Sequence, residues 1–172
     1  STIYTYPQII TVSLSPVLSY SVDNIVGCAP HTLHITDTST VADSLVWWMG
    51  DGTIISGNSP THTYTQPGNY SITLIAFNAE GCSDTLVYAD TIIVNIQPVA
   101  DFSADILEGC SPVEITFTNN SSGLSNPLYE WDFGNGDVSF LSDPSYTYTN
   151  QGVYTVSLIV TNDQGCADTL VI

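Results

Sequence analysis

The sequence of 172 residues contains neither lysine nor arginine, but it has 17 aspartate and glutamate residues and a formal net charge of −17 at pH 7. Nucleic acids and anionic lipid head groups bind proteins through cationic side chains, so both classes of partner are excluded. Ion pairs with Lys or Arg are excluded as well, and stability must come from packing, backbone hydrogen bonds and disulfides. The charge favours solubility and attracts divalent cations.

Long apolar runs and amphipathic helical patterns are also missing. No apolar run reaches the roughly 18 residues of a membrane span, so membrane insertion is not predicted. The chain is nevertheless 43% hydrophobic and 10% aromatic, which is too apolar for a disordered protein. The sequence therefore predicts a folded protein.

Cysteine is scarce, and each of the four follows a glycine: Cys28, Cys82, Cys110 and Cys166. No two of them have the close spacing of a zinc site. An even number of cysteines in an acidic chain rich in Ser and Thr favours disulfides and an oxidising, extracellular compartment. Four free thiols are the alternative.

An internal repeat determines the predicted domain organisation. Three blocks recur at an offset of 82 or 84 residues: 9–16 with 91–98, 27–39 with 109–121, and 64–75 with 148–159. We predict that residues 1–14 are the last strand of a preceding repeat, that 15–97 form one domain, and that 98–172 form a second. The last strand of the second domain is truncated, so we expect the chain to be a piece of a longer array.

Within each repeat, apolar and polar residues alternate with a period of two, as in Tyr154, Val156 and Leu158. Short alternating segments separated by Gly, Pro, Asn and Asp predict an antiparallel β-sandwich. We predict seven strands per repeat, A, B, C, C′, E, F and G. In the second repeat they start near Ala100, Val113, Leu128, Val138, Ser145, Tyr154 and Cys166.

The segment Tyr129-Glu-Trp-Asp-Phe-Gly-Asn-Gly136, followed by Pro144–Tyr148 and Gly152–Leu158, resembles the PKD (polycystic kidney disease) domain family. The first repeat departs from this pattern in Trp47-Trp-Met-Gly-Asp-Gly52 but retains Pro60-Thr-His-Thr-Tyr64. The resemblance implies tandem immunoglobulin-like sandwiches in an extracellular protein, used as spacers or as surfaces for protein or carbohydrate contact. The Gly-Cys pairs resemble the type found in large secreted and surface proteins of Bacteroidetes.

Seven residues of this motif are interpreted as core or turn positions: Trp47, Asp51, Tyr70, Trp131, Asp132, Asn135 and Tyr154. Trp47 and Trp131 lie in mid-strand, where a sandwich needs its largest core side chain. Asp51 and Asn135 lie between two glycines and can cap the hairpin turn. The two tyrosines are placed like a corner tyrosine, whose hydroxyl bonds to the backbone.

Catalysis and metal binding have little support in the sequence. The only histidines are His31, His34 and His62, and no nucleophile motif accompanies them, so we do not expect an enzyme. The spacing of the three histidines does not match a known metal site, and calcium has more support, because several carboxylates cluster in the second repeat. These are Asp101, Asp105, Glu108, Asp132 and Asp137, and without an EF-hand loop a solvated acidic face is favoured and no cofactor is predicted.

A short motif of Asp, then Ser or Thr, then an aliphatic residue occurs four times. It resembles the O-glycosylation signal of secreted Bacteroidetes proteins, although chance matches are expected in a chain rich in Thr. The candidate acceptors are Ser44, Thr85, Thr91 and Thr169.

Strand directions predict which cysteines pair. Within one sandwich, the A–B turn with Cys28 or Cys110 and the F–G turn with Cys82 or Cys166 lie at opposite ends. Strands of about eight to ten residues separate these ends by about 25–30 Å, whereas disulfide-bonded Cα atoms lie within about 7 Å. We therefore predict a Cys28–Cys166 bridge between the domains, with Cys82 and Cys110 pairing with neighbouring repeats. Pairing of Cys28 with Cys82 is the alternative.

We interpret the chain as a non-catalytic segment of an extracellular surface filament, stalk or adhesin. Its expected partners are neighbouring repeats of the same protein, identical chains in a filament, and a glycan or surface protein. The alternative is a carbohydrate- or protein-binding accessory module of a larger secreted enzyme. A carbohydrate-binding face requires exposed coplanar aromatic rings. Trp48 and Phe77 are the candidates, because the second repeat has Asp132 and Thr161 at these positions.

Overall fold

The computed structural model describes residues 11–172 and shows an all-β architecture of short antiparallel strands. Most of the strand predicted for residues 1–14 lies outside the described residues. No helix that could cross a membrane occurs between residues 11 and 172. The strands are β1 (Tyr20–Val22), β2 (Val26–Cys28), β3 (His31–Asp37), β4 (Ser44–Trp48), β5 (Ile54–Ser56), β6 (Thr61–Tyr64), β7 (Gly68–Phe77), β8 (Ser83–Asn95), β9 (Phe102–Ala104), β10 (Val113–Asn119), β11 (Leu128–Asp132), β12 (Val138–Ser139), β13 (Ser145–Tyr148), β14 (Ser157–Thr161) and β15 (Ala167–Val171).

Each repeat has two sheets; the smaller sheets have the same strand order, and the larger sheets share it over four strands, with β2 as a fifth strand in the first repeat. In the first repeat, the orders are β1-β3-β6 and β2-β8-β7-β4-β5. In the second repeat, they are β9-β10-β13 and β12-β11-β14-β15. The alternating sequences produce this arrangement, because one face of every strand is apolar and must be buried against the other sheet.

The chain divides into two compact units, and the borders of these units differ from those of the sequence repeats. One unit comprises the segment that ends at Ile25, together with Thr32–Thr63 and Asn69–Ile93. The other comprises Val26–His31, Tyr64–Gly68 and Val94–Ile172. Cys28 and Cys166 therefore belong to the same unit.

A fully buried tryptophan lies at the centre of each core. Trp47 and Trp131 are both 0% exposed. Their indole N–H groups donate to backbone carbonyls, at 2.7 Å to Gly57 and 2.9 Å to Leu141. Burying such a ring together with a satisfied N–H group removes a large apolar area from water without leaving a donor unpaired.

The turn after each tryptophan strand depends on glycine. Gly50 has a φ of 85° and Gly134 has a φ of 78°, a region that L side chains rarely adopt. A side chain would also collide with a neighbouring backbone, since a Cβ at Gly50 would lie 2.6 Å from the carbonyl oxygen of Ser71. Glycine therefore lets this turn pack directly on the backbone of β7.

Polar side chains cap the same turns. Asp51 accepts a hydrogen bond from the Thr53 N–H at 2.9 Å, and Asn135 accepts one from the Asp137 N–H at 3.2 Å. Asp132 accepts a further one from the Gly134 N–H at 2.8 Å. These bonds satisfy backbone donors that the tight turn leaves unpaired.

Two strand predictions differ from the structure. The first repeat has eight strands where seven are predicted, because β2 pairs with β8 in addition to the pairing of β1 with β3. Strand F of the second repeat was placed near Tyr154, but β14 begins at Ser157. The reason is that no strand among the described residues lies beside residues 151–155. The corner hydroxyl of Tyr154 donates to the carbonyl of Asn150 at 2.9 Å.

Candidate functional site

The three histidines of the first repeat lie in different local environments. His34 contacts Asp23 on the surface, with 3.0 Å between Nδ1 and Oδ2. His31 is buried, with 9% of its surface exposed. His62 contacts Asp51, with 2.8 Å between Nε2 and Oδ2. His34 and His62 therefore contact different aspartates, one on the surface and one in the hairpin turn.

Asp51 is held in its charged form by the hairpin turn. Burial raises the pKa of this carboxyl, but hydrogen bonds from Thr53 and His62 outweigh burial and bring the pKa below its ordinary value. The second repeat replaces this pair with uncharged groups, since the Asn135 amide donates to the Tyr146 hydroxyl at 2.6 Å. The same turn is thus supported by a His–Asp pair in the first repeat and by an Asn–Tyr pair in the second, whose tyrosine also donates to Asp137.

Acidification is expected to weaken the first repeat through Asp51. Its folded-state pKa lies below the unfolded value of about 3.9, so the charged carboxylate stabilises the fold above pH ~4. This contribution is lost as the pH falls through the lowered pKa. Urea unfolding at a series of pH values should give a weaker pH dependence below pH ~4 for Asp51→Asn than for the wild type. Glu80→Gln, on the exposed surface, is the control, and an unchanged dependence in Asp51→Asn would contradict the prediction.

The carboxylates considered for calcium serve local backbone contacts instead of converging. Asp105 accepts the Thr116 N–H at 2.8 Å, and Asp132 caps its own turn. Asp137 accepts the Tyr146 hydroxyl. Among residues 11–172, no group of three or more His, Cys, Asp or Glu side chains could hold a metal ion. Each of the five carboxylates named above, Asp101, Asp105, Glu108, Asp132 and Asp137, belongs to an exposed residue.

An apolar stripe crosses the outer face of the larger sheet in the first repeat, and we call it the exposed sheet face. Its members are Val46, Trp48, Ile54, Ile75 and Phe77. Register places Trp48 opposite Ile54, Val46 opposite Ile75, and Phe77 opposite Ser44. Trp48 is 52% exposed, Ile54 57% and Phe77 41%. The sequence pointed to the two aromatic residues but missed Ile54, because only the pairing of β4 with β5 brings it beside Trp48.

The two aromatic rings of this face are separated by aliphatic side chains. Phe77 is opposite Ser44, which lies four residues before Trp48 on the same strand, or about 13 Å along it. Val46 and Ile75 lie between them. The face is therefore a continuous apolar stripe and not a pair of adjacent rings.

The second repeat has a different outer face at the equivalent positions. Glu130 and Asp132 replace Val46 and Trp48, and Thr161 replaces Phe77. Glu130 pairs with Ile159 and Asp132 with Ser157, so carboxylates occupy the middle of this surface. At these positions the first repeat is apolar and the second acidic, although Leu128 (71% exposed) and Phe140 (69% exposed) give the second repeat exposed apolar side chains of its own beside Ile159.

A disulfide joins Cys28 to Cys166, with Cα atoms 5.8 Å apart. Cys82 is a half-buried free thiol and Cys110 an exposed one. Pairing of these two cysteines with neighbouring repeats stays a prediction.

A buried asparagine supports each cysteine of the F–G turn. Asn78 accepts the Cys82 N–H at 2.8 Å and donates to the Leu14 carbonyl at 2.6 Å. Asn162 accepts the Cys166 N–H at 2.9 Å and donates to the Ile96 carbonyl at 2.9 Å. Sequence reasoning missed this pair of asparagines, although the repeated Asn-x-x-Gly-Cys spacing was a usable signal.

The candidate glycosylation residues differ in accessibility. Ser44, Thr85 and Thr169 are exposed, whereas Thr91 is half-buried in β8. A glycan could be attached without unfolding at the first three positions, and glycosylation stays a prediction.

Comparison with known proteins gives the family. The model of the PKD domain family matches residues 20–94 and 95–171. Pre-pro-metalloprotease PrtV from Vibrio cholerae serotype O1 (strain M66-2) is 43% identical over 75 residues, which are 44% of this chain and 8% of that protein. Microbial collagenase from Vibrio alginolyticus is 31% identical over 104 residues, which are 59% of this chain and 13% of that protein. The chain thus corresponds to a small part of each relative's length.

The solved PKD1 domain of Vibrio anguillarum Epp is also similar, with 36% identity and a TM-score of 0.38 over 45% of this chain and 90% of that one. The PKD1 domain of the Vibrio cholerae metalloprotease PrtV has 26% identity and a TM-score of 0.38 over 44% of this chain and 93% of that one. Since the family match covers both repeats and each repeat has the same pair of sheets, the chain is a tandem of two PKD domains and belongs to the PKD domain family.

Proposed function

We propose that this chain is a non-catalytic accessory module of a larger extracellular protein that also carries an enzymatic domain. The observation that carries this proposal is the similarity of its repeats to short segments of a metalloprotease and of a collagenase, 8% and 13% of their lengths. These relatives favour the accessory role over the filament, stalk or adhesin that the sequence first pointed to. The disulfide also suits an oxidising, extracellular setting.

The exposed sheet face is the contact surface in this proposal. Its apolar residues are neighbours on the sheet, through the pairing of β4 with β5 and β7. An exposed apolar stripe does not add to solubility, which the net charge of −17 already provides, so it requires another explanation. Aliphatic side chains separate the two rings, which favours an apolar protein surface as the partner over the flat rings of a polysaccharide. The enzymatic domain of the same polypeptide is the partner that we propose.

The accessory role is tested by measuring the mass and the cellular location of the natural polypeptide. Antibodies raised against this chain should detect, in the extracellular fraction of its source, a polypeptide several times larger than 18.5 kDa. The purified polypeptide should hydrolyse a substrate that the isolated chain does not. An intracellular product of about the mass of the chain alone would overturn the proposal.

The contact surface is tested by replacing Trp48 with the residue that occupies the equivalent position of the second repeat. Trp48→Asp should weaken binding of the isolated chain to the enzymatic domain at least about tenfold in calorimetry, since central aromatic residues dominate such contacts. Val138→Asp is the matched control, because Val138 is the exposed counterpart of Ile54 in the second repeat. A glycan array covers the alternative: glycan binding by the wild type that Trp48→Asp abolishes would assign the face to carbohydrate.

A further inference from the structure

The outer face of the larger sheet in the second repeat combines apolar and acidic side chains, and we call it the mixed sheet face. Its members are Leu128, Glu130, Asp132, Val138, Phe140 and Ile159. The three residues from β11 alternate with the inward-facing residues of that strand. Glu130 pairs with Ile159 on β14 and Asp132 pairs with Val138 on β12, so an apolar residue lies beside each carboxylate.

A groove of about 390 Å³ opens between these side chains. Leu128, Phe140 and Ile159 form its apolar lining, and Glu130 adds a carboxylate. Apolar walls exclude water from around a carboxylate, and the lower local dielectric strengthens its attraction for a cation. Lys and Arg suit such a site, because their aliphatic stems pack on apolar walls while the cationic ends reach the carboxylate. The exposed ring of Phe140 also offers its face to a cation.

The two carboxylates of the mixed sheet face lack a cationic neighbour. Neither Lys nor Arg occurs in the sequence. Within the described part of the chain, the Glu130 carboxylate makes no hydrogen bond or ion pair. Asp132 accepts the Gly134 N–H through Oδ1, which leaves Oδ2 available. Because both carboxylates lie on one side of β11 and repel each other, a cation supplied by another molecule would stabilise both.

The spacing of these carboxylates determines what kind of segment can contact both. Glu130 and Asp132 are two positions apart on one strand, a separation of about 6.5 Å. An extended peptide has the same repeat, so cationic residues at alternate positions coincide with the two carboxylates. The next alternate position lies over Leu128 and the groove, where an aliphatic side chain fits.

From this geometry we propose that the mixed sheet face binds an extended cationic segment of a protein. In this segment an aliphatic residue and two Lys or Arg residues occupy successive alternate positions. The cationic groups pair with Glu130 and Asp132, and the aliphatic side chain fills the groove beside Leu128 and Phe140. A second copy of this chain has no Lys or Arg to supply. The binding goes beyond the proposed accessory role and does not depend on it.

The net charge and the mixed sheet face have different parts in this binding. The charge of −17 attracts any cationic segment and raises its rate of association. The arrangement of Glu130, Asp132 and the groove selects the segment that stays bound, because only alternate cations reach both carboxylates. The test must therefore separate spacing from charge.

Binding of synthetic peptides to the chain, followed by calorimetry or by NMR titration, makes this separation. The probe is Thr-Leu-Thr-Arg-Thr-Arg-Thr with blocked ends, and its isomer is Thr-Leu-Arg-Arg-Thr-Thr-Thr, which has the same charge. Only one arginine of the extended isomer points to the same side as its leucine. We expect the probe to bind at least about fivefold more tightly at low salt, because the isomer loses one of two ion pairs. Equal affinities would overturn the proposal.

Glu130→Gln tests the mixed sheet face itself. It should weaken binding of the probe at least about fivefold, because one of the two ion pairs is lost. Glu114→Gln is the matched control, since Glu114 is exposed on β10 in the other sheet and the variant has the same net charge. It should bind the probe like the wild type. Equal losses for the two variants would mean that net charge alone attracts the peptide and would overturn the proposal.

Leu128→Ser tests the groove, because serine occupies the equivalent position 44 of the first repeat. We expect about threefold weaker binding of the probe, since the leucine of the peptide loses an apolar contact. Binding of a probe with Thr in place of Leu should not change. Displacement of the probe by calcium chloride at constant ionic strength would assign the carboxylates to a metal and overturn the proposal. Self-association of the chain that Leu128→Ser abolishes would assign the face to a second copy and also overturn it.

Discussion

Trp131→Ala is expected to lower the free energy of unfolding of the second repeat by about 3–5 kcal/mol, the usual cost of emptying a buried aromatic site. Trp131 is fully buried, and its ring lies 5.0 Å from that of Phe102 and 5.6 Å from that of Phe117, between centroids. Alanine would leave a cavity between the two sheets. It would also leave the Leu141 carbonyl without the indole N–H. Denaturant unfolding followed by circular dichroism measures the loss.

Ser157→Ala is the control for this prediction. Ser157 pairs with Asp132 on the outer face of the same sheet, so removing its hydroxyl should change the unfolding free energy by less than about 0.5 kcal/mol. Similar losses for both variants would mean that the inward and outward faces of the sheet have been assigned wrongly.

Removal of the Cys28–Cys166 disulfide is expected to have the second large effect, about 2–5 kcal/mol. The two cysteines are 138 residues apart in sequence, so the bridge restricts a large part of the unfolded chain. Cross-linking a longer loop removes more conformational entropy from the unfolded state. Guanidinium unfolding of the oxidised wild type and of the double variant Cys28→Ala, Cys166→Ala should give a lower midpoint for the variant.

The free cysteines provide the matched control for the disulfide. In the absence of an oxidant, the double variant Cys82→Ala, Cys110→Ala should unfold at nearly the wild-type midpoint, because neither thiol is bonded. Coincident midpoints for the wild type and the Cys28→Ala, Cys166→Ala variant would show that the bridge adds no stability.

Much of the fold was accessible from sequence because its signals are local. Alternation of apolar and polar residues fixed which side chains of β7 and β14 face inward, as the burial of Leu74 and Leu158 shows. The sequence offset between the two repeats predicted a tandem of equivalent sandwiches. The tryptophan followed by a Gly-x-Gly turn indicated the PKD family, and the family match over both repeats confirms this assignment. Such patterns depend on a few neighbouring residues, so distant contacts do not change them.

Other features were decided only by the tertiary structure. Ile54 joins Trp48 through the register between β4 and β5, and Asn162 reaches the carbonyl of Ile96, 66 residues away in the sequence. The additional strand β2 of the first repeat likewise depends on which strand lies next to which, since it pairs with β8. The sequence determined which side chains of each strand are buried. The tertiary structure decided which residues lie side by side on the exposed face and which strands are neighbours, because register and strand order arise from contacts between distant segments.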